Sequence, residues 1–302
     1  MNRQTVKIFL IILKVIITVL FVIVVNKAIP TDRTNLVNLI PLKLLVITSL
    51  LSLLATALHA YRWYLFLKLF GMNPSIGQCF RSYLEGVVFG IITPGRAGEL
   101  FRGFTLNPEW RKRSSIAVVT EKITATIVLF ITGMIAWLFL PGNRGGDLYS
   151  TGLTVVTVLS ILAIFIIPRV MKYYLPQVSE IRRRFAGTLL ISIPIHAILL
   201  IQIVILVIDR LPVTVFQAST AAASAFSAMQ FMPVTIANMG VREFCLSMFF
   251  QLYTSNVVSI ESIQYVLLST SLIIIFANLI LPAFPGMILL LISKLNGIER
   301  RR

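Results

Sequence analysis

Long apolar runs separated by short basic punctuation pattern this chain. Residues 8–26, 44–60, 123–140, 148–167 and 185–208 are almost wholly apolar, and 211–241 and 262–293 carry no charge at all. A helix that crosses a bilayer needs about 20 mostly apolar residues, so each run predicts a span or part of one. The runs are continuous rather than alternating, which argues against a transmembrane barrel. Helices that satisfy their own backbone groups are the remaining solution.

Basic residues punctuate the runs. Arg111-Lys112-Arg113, Arg182-Arg183-Arg184 and Arg300-Arg301-Arg302 each lie beside an apolar stretch, and the excess of Lys and Arg on one side of a membrane orients the spans. With Arg3 and Lys7 in the cytoplasm, segment 27–43 and the turns at Pro141 and Asp209 fall outside, and all three clusters fall inside. Arg3 and Lys7 resemble the start of a signal peptide. The run after them contains Lys14 and ends at Asn26-Lys27 without a small-residue cleavage site, which predicts a retained first helix.

Two stretches do not thread as simple spans. Lys68 and Arg111 both fall inside, so a segment at about 71–106 must enter and return, with a break at Thr93-Pro94-Gly95. A segment at about 213–253 repeats the problem from the other face, with a break at 233–240. The predicted fold is therefore all-α and polytopic, with about six full spans and two oppositely oriented re-entrant hairpins. The breaks read PGRAGE (94–99) and NMGVRE (238–243), and related motifs on opposed hairpins point to an inverted repeat. Residues 1–302 form a single transmembrane domain in this reading, with no soluble domain and both termini in the cytoplasm of a cell-membrane protein.

Composition agrees. The chain is 57% hydrophobic and 13% charged, against about 25% charged in soluble domains. Its net charge of +16 would raise nucleic acid in a soluble chain. Here the cations flank spans and read as topology and lipid-headgroup signals. Cys79 and Cys245 lack metal-site spacing and read as packing residues. His59 and His196 have no partner at ligand spacing. Neither a metal nor a cofactor is expected, and no P-loop, nucleophile elbow or zinc motif marks an enzyme.

Ionisable groups inside a bilayer cost at least about 2.5–3.5 kcal/mol each on insertion scales, so they usually mark a pathway or site. At the first break, Thr93 reads as an N-cap, Pro94 as the first helical residue, Gly95 as a point of close approach, and Gly98 as a structural residue of the break. Arg96, Glu99 and Arg102 follow at helical spacing, which lets Glu99 bridge both arginines and hold a guanidinium fork for a phosphate. At the second, after Pro233, Asn238 reads as the cap, Gly240 as a close approach, and Arg242 and Glu243 as the polar pair. Plainer alternatives stand beside these: a snorkelling interfacial helix for 96–102, and a structural ion pair for Arg242 and Glu243. Arg81 and Glu85 form an i, i+4 pair that either supports the helix or lines the same cavity. Glu121-Lys122 reads first as a solvated helix start, and Tyr61, Trp63 and Tyr64 beside Arg62 as an aromatic belt.

Together, ALHAYRWYLFLKLFG (57–71), SYLEGVVFGIITPGRAGELFRGFTL (82–106), SSIAVVTEKI (114–123) and NMGVRE resemble the membrane region of the lysylphosphatidylglycerol synthase and flippase family. The resemblance implies a helical lipid transporter with its motif positions on Pro94, Gly95, Arg96, Gly98, Glu99, Arg102, Glu121, Lys122, Asn238, Gly240, Arg242 and Glu243. The family's Glu-Arg-x-x-Asp pattern reads Glu121-Lys122-Ile123-Thr124-Ala125 here, which changes that site's charge. The aminoacyl-transfer domain of the synthases is not represented, so lysylphosphatidylglycerol synthesis is not expected. The leading expectation is a translocase for a lipid with a phosphate-bearing or otherwise charged headgroup. A second is an accessory protein that presents a lipid carrier to a membrane glycosyltransferase. A third is a polyprenyl-phosphate transferase with Glu99 or Glu243 as base.

Overall fold

The computed structural model describes residues 42–91, 93, 96–141, 147–174, 181–231 and 238–299. Pro94, Gly95, Pro233, the expected first span at 8–26 and the turn at 142–146 lie outside them.

Nine α-helices are formed by the described residues: α1 (Leu42–Leu69), α2 (Ile76–Ile91), α3 (Arg111–Trp137), α4 (Asp147–Tyr174), α5 (Ile181–Val207), α6 (Val215–Met229), α7 (Val241–Thr254), α8 (Ile260–Ile275) and α9 (Leu281–Glu299). A 3-10 segment (Ala97–Thr105) follows α2, and a π turn (Phe276–Ile280) joins α8 to α9. Among the described residues, five stretches are long and apolar enough to cross a membrane: Leu42–Leu69, Pro108–Trp137, Thr151–Tyr173, Ile181–Val207 and Ile260–Ile292. The chain is thus an all-α membrane protein.

Apart from α8, which runs on through the π turn into α9, three helices fall short of spanning length. At 1.5 Å per residue, α2, α6 and α7 extend only about 21–24 Å, against a hydrocarbon core of about 30 Å. Two of them begin with the same device. Ser75 Oγ accepts from Gln78 N, and Gln78 Oε1 accepts from Ser75 N; Thr214 and Gln217 repeat the exchange at α6. Each capping box satisfies two backbone donors and fixes the helix start.

Apolar side chains gather in two cores at opposite ends of the long helices. One joins Trp63, Phe66 and Leu67 of α1, Leu84 and Val87 of α2, Ala117 and Val118 of α3, Phe185 of α5 and Ala283 of α9. The other joins Ile203, Leu206 and Val207 of α5 to Ala218 and Ala222 of α6, Phe249 and Phe250 of α7, and Leu267 of α8, with Leu44 of α1 and Trp137 of α3 against it. The α2 hairpin and the α6–α7 hairpin therefore pack on opposite ends of α1, α3 and α5. The basic clusters at Arg111 and Arg182 stand at the first end.

Between the cores runs an uncharged polar ladder. Gln202 Nε2 donates to the Thr48 carbonyl at 2.9 Å and Asn278 Nδ2 donates to Gln202 Oε1 at 2.9 Å, while Ser52 Oγ donates to the Ala277 carbonyl. Pro282 has no N–H to return to residue 278, a local cause for the π turn just before it.

Candidate functional site

The first break is tighter than an α-helical start. Thr93 Oγ1 donates to the Phe89 carbonyl at 3.0 Å and accepts from Gly98 N at 2.6 Å, so it tethers the returning chain to the end of α2. Arg96, with φ 57° and ψ 30°, is the residue that caps the 3-10 segment. The expected N-cap at Thr93 with an α-helix from Pro94 is corrected accordingly: the left-handed turn at Arg96 restarts the helix later, and as 3-10. A Cβ on Gly98 would run into the Phe89 carbonyl, so the close approach depends on that glycine.

Gly86 and Gly90, one turn apart on α2, make a shallow face for the returning segment. A Cβ on Gly86 would stand 2.6 Å from Arg102 Cβ, and one on Gly90 would stand 2.9 Å from Glu99 Cγ. This small-residue seam lets two charged side chains lie flat against a helix inside the protein.

Two carboxylates organise the cations. Glu121, in the third turn of α3, accepts on one oxygen from Arg62 Nε at 3.1 Å and Nη2 at 2.9 Å, and its other oxygen pairs with Arg102 Nη2. Arg62 Nη1 also donates to Ser192 Oγ at 3.2 Å, and the Arg102 guanidinium lies 4.1 Å from the Trp63 ring centroid. Glu99 forms the second node, with Arg96 Nε at 2.6 Å and Lys122 Nζ at 2.9 Å. Four cations around two carboxylates leave an excess of positive charge among these residues.

The nodes differ in access. Side chains of Arg62, Arg102 and Glu121 are 7%, 2% and 2% exposed, whereas Arg96 and Lys122 are 33% and 36% exposed. The inner node is closed off and the outer node is open at its cations.

The second break repeats the logic with other atoms. Asn238 takes φ 57° and Gly240 φ 82°; Glu243 Oε2 accepts from Gly240 N at 2.5 Å, and Glu243 Oε1 accepts from Ser271 Oγ. Arg242 Nε lies 3.7 Å from Glu243 Oε1 and its residue is buried. The sequence points to Asn238 as the cap; Gly240 takes that position instead, because the Asn238 backbone is spent on the left-handed turn. The breaks converge: Ile91 and Met239 both pack on Ile275 and Leu279.

Several expectations change here. Glu99 does not bridge both arginines; the 3-10 backbone hands Arg102 to Glu121 and leaves Glu99 for Lys122. Glu121 is not at a solvated helix start but 1% exposed, ten residues into a helix that begins at Arg111. Trp63 is fully buried rather than interfacial. Arg81 and Glu85 pair at 2.9 Å as their spacing predicts, with Glu85 buried.

Sequence reasoning missed Arg62, Ser192 and Ser271. Arg62 carried a usable signal: a cation two turns inside the end of a 28-residue apolar helix needs a buried partner. Ser192 and Ser271 carried none. Among the described residues no group of His, Cys, Asp or Glu has the arrangement of a metal site, and Cys79 and Cys245 are buried and free.

In comparisons with known proteins, the family described as the lysylphosphatidylglycerol synthase TM region matches residues 11–286. No curated protein matches the chain.

Proposed function

Because the chain belongs to the lysylphosphatidylglycerol synthase TM-region family, we propose that it is a lipid translocase that binds a phosphate-bearing or otherwise charged headgroup in a polar pocket within the membrane. In this reading the α2 hairpin and the α6–α7 hairpin are re-entrant elements from opposite faces, and the basic end faces the cytoplasm with both termini. The shortness of α2, α6 and α7, and their packing at opposite ends of the long helices, support it.

One observation carries the proposal: Glu99 is held between Arg96 and Lys122, both about one-third exposed. A carboxylate so placed stands where a headgroup phosphate would sit. An incoming phosphate exchanges with Glu99, takes the Arg96 fork in bidentate fashion, and draws on the excess positive charge. Arg62, Glu121 and Arg102 keep the 3-10 segment in place during the exchange. Arg242 and Glu243 serve the same headgroup from the other face.

The experiment is reconstitution in vesicles with a fluorescent phospholipid and an impermeant quencher. The purified chain moves lipid between leaflets, and Arg96→Ala and Arg242→Ala each slow it at least about tenfold, the loss of one charge-assisted contact to the headgroup. Wild-type rates in both variants retire the reading. Lipid binding without movement, lost in the same variants, assigns the chain instead as an accessory protein presenting a lipid to a membrane glycosyltransferase.

A further inference from the structure

We infer that a second lipid site, separate from the two carboxylate nodes, lies where the end of α1 meets the start of α5, and that it holds an anionic phospholipid of the leaflet at the basic end. A cleft of about 790 Å³ opens there, its wall lined by Lys68, Arg183 and Arg184 together with Leu65, Leu190 and Ile191. Among the described residues no acidic side chain lines it. The inference shares no residue with the translocase reading and stands or falls without it.

Three features give the cleft its occupant. Three cations line one cleft, and Arg184 Nη1 donates to the Lys68 carbonyl at 3.5 Å, tying the start of α5 to the end of α1 there. That clustering fits a phosphodiester, with Asn73 as a neutral donor beside it. The wall continues onto a lipid-facing surface through Leu190, 64% exposed, and Ile193, 52% exposed, so acyl chains can leave the cleft into the bilayer. Gly187 also lines the cleft, and a Cβ there would enter open space, with nothing within 4 Å.

An anionic lipid satisfies both the cations and the apolar wall.

The test uses the full chain in nanodiscs of mixed phosphatidylglycerol and phosphatidylcholine, with retained lipid identified by native mass spectrometry. The wild type retains phosphatidylglycerol selectively. Arg183→Gln with Arg184→Gln lowers that retention about fivefold per cation removed. Gly187→Leu, which fills open space and leaves every cation in place, lowers it to a similar degree. Circular dichroism verifies that each variant is folded, and Lys68→Gln replaces the double arginine variant if that one fails. Loss in the charge variants with full retention in Gly187→Leu assigns the effect to diffuse surface attraction and overturns the cleft. Loss in Gly187→Leu alone overturns the anionic assignment, and no loss in any variant overturns the inference entirely. Displacement of the lipid by millimolar inorganic phosphate also overturns it, in favour of a free-phosphate site.

Discussion

Lys122 Nζ reaches Glu99 Oε2 at 2.9 Å across 23 positions of sequence, while its neighbour Glu121 turns the other way to hold Arg62 and Arg102. Two adjacent residues of α3 thus serve two different charge nodes, one closed and one open.

Glu121→Gln removes the negative charge between Arg62 and Arg102 in the inner node. Breaking a buried pair from one side typically costs about 3–5 kcal/mol, so the variant unfolds at a clearly lower temperature in detergent. Lys122→Gln, at the one-third exposed outer node, costs about 1 kcal/mol or less. Equal losses in the two would mean the nodes are not distinct.

Gly90→Val places side-chain atoms on Glu99 and shifts the 3-10 segment, costing about 1–3 kcal/mol as overpacking does. Gly98→Ala, aimed at the Phe89 carbonyl, is at least as severe. Gly152→Ala on α4 is the control: its Cβ enters open space, and it stabilises by about 0.5–1 kcal/mol through helix propensity. Thermal unfolding of the three purified variants checks the order.

Gln202→Leu strips Asn278 and the Thr48 carbonyl of their partner and costs about 1–3 kcal/mol for unsatisfied buried groups. Gln202→Leu with Asn278→Leu recovers part of that loss, because two polar groups leave together. A double-mutant cycle measures the coupling, and a purely additive result would refute the ladder.

Ser271→Ala removes the hydroxyl that donates to Glu243. Glu243 keeps the Gly240 amide and Arg242, so the fold survives and lipid movement falls more than lipid binding does. Equal effects on both would make Ser271 a packing residue.

Much of this architecture was legible in the chain. Continuous apolar runs have one low-energy form in a bilayer, the self-satisfied helix, and they located α1, α3, α4, α5 and the α8–α9 span. Arginine placement carried the cost of burial on its face, so the two breaks and Arg96, Glu99, Arg102, Arg242 and Glu243 stood out. The capping boxes at Ser75 and Thr214 were also readable and would have marked the short helices directly.

The partners were not legible, because pairing depends on backbone form and on contacts remote in sequence. A 3-10 rather than α-helical segment, restarted by a left-handed Arg96, redirected Arg102 from Glu99 to Glu121. Burial of Trp63 and Arg62 required α1 to lie against α3 and the 3-10 segment, which no local periodicity encodes. The sequence by itself determined that charge would be buried at two breaks in a helical membrane protein, since helix formation and insertion cost are local properties. Only the tertiary structure decided which carboxylate neutralises which cation, because that choice is made by elements that meet in space from up to 59 residues apart.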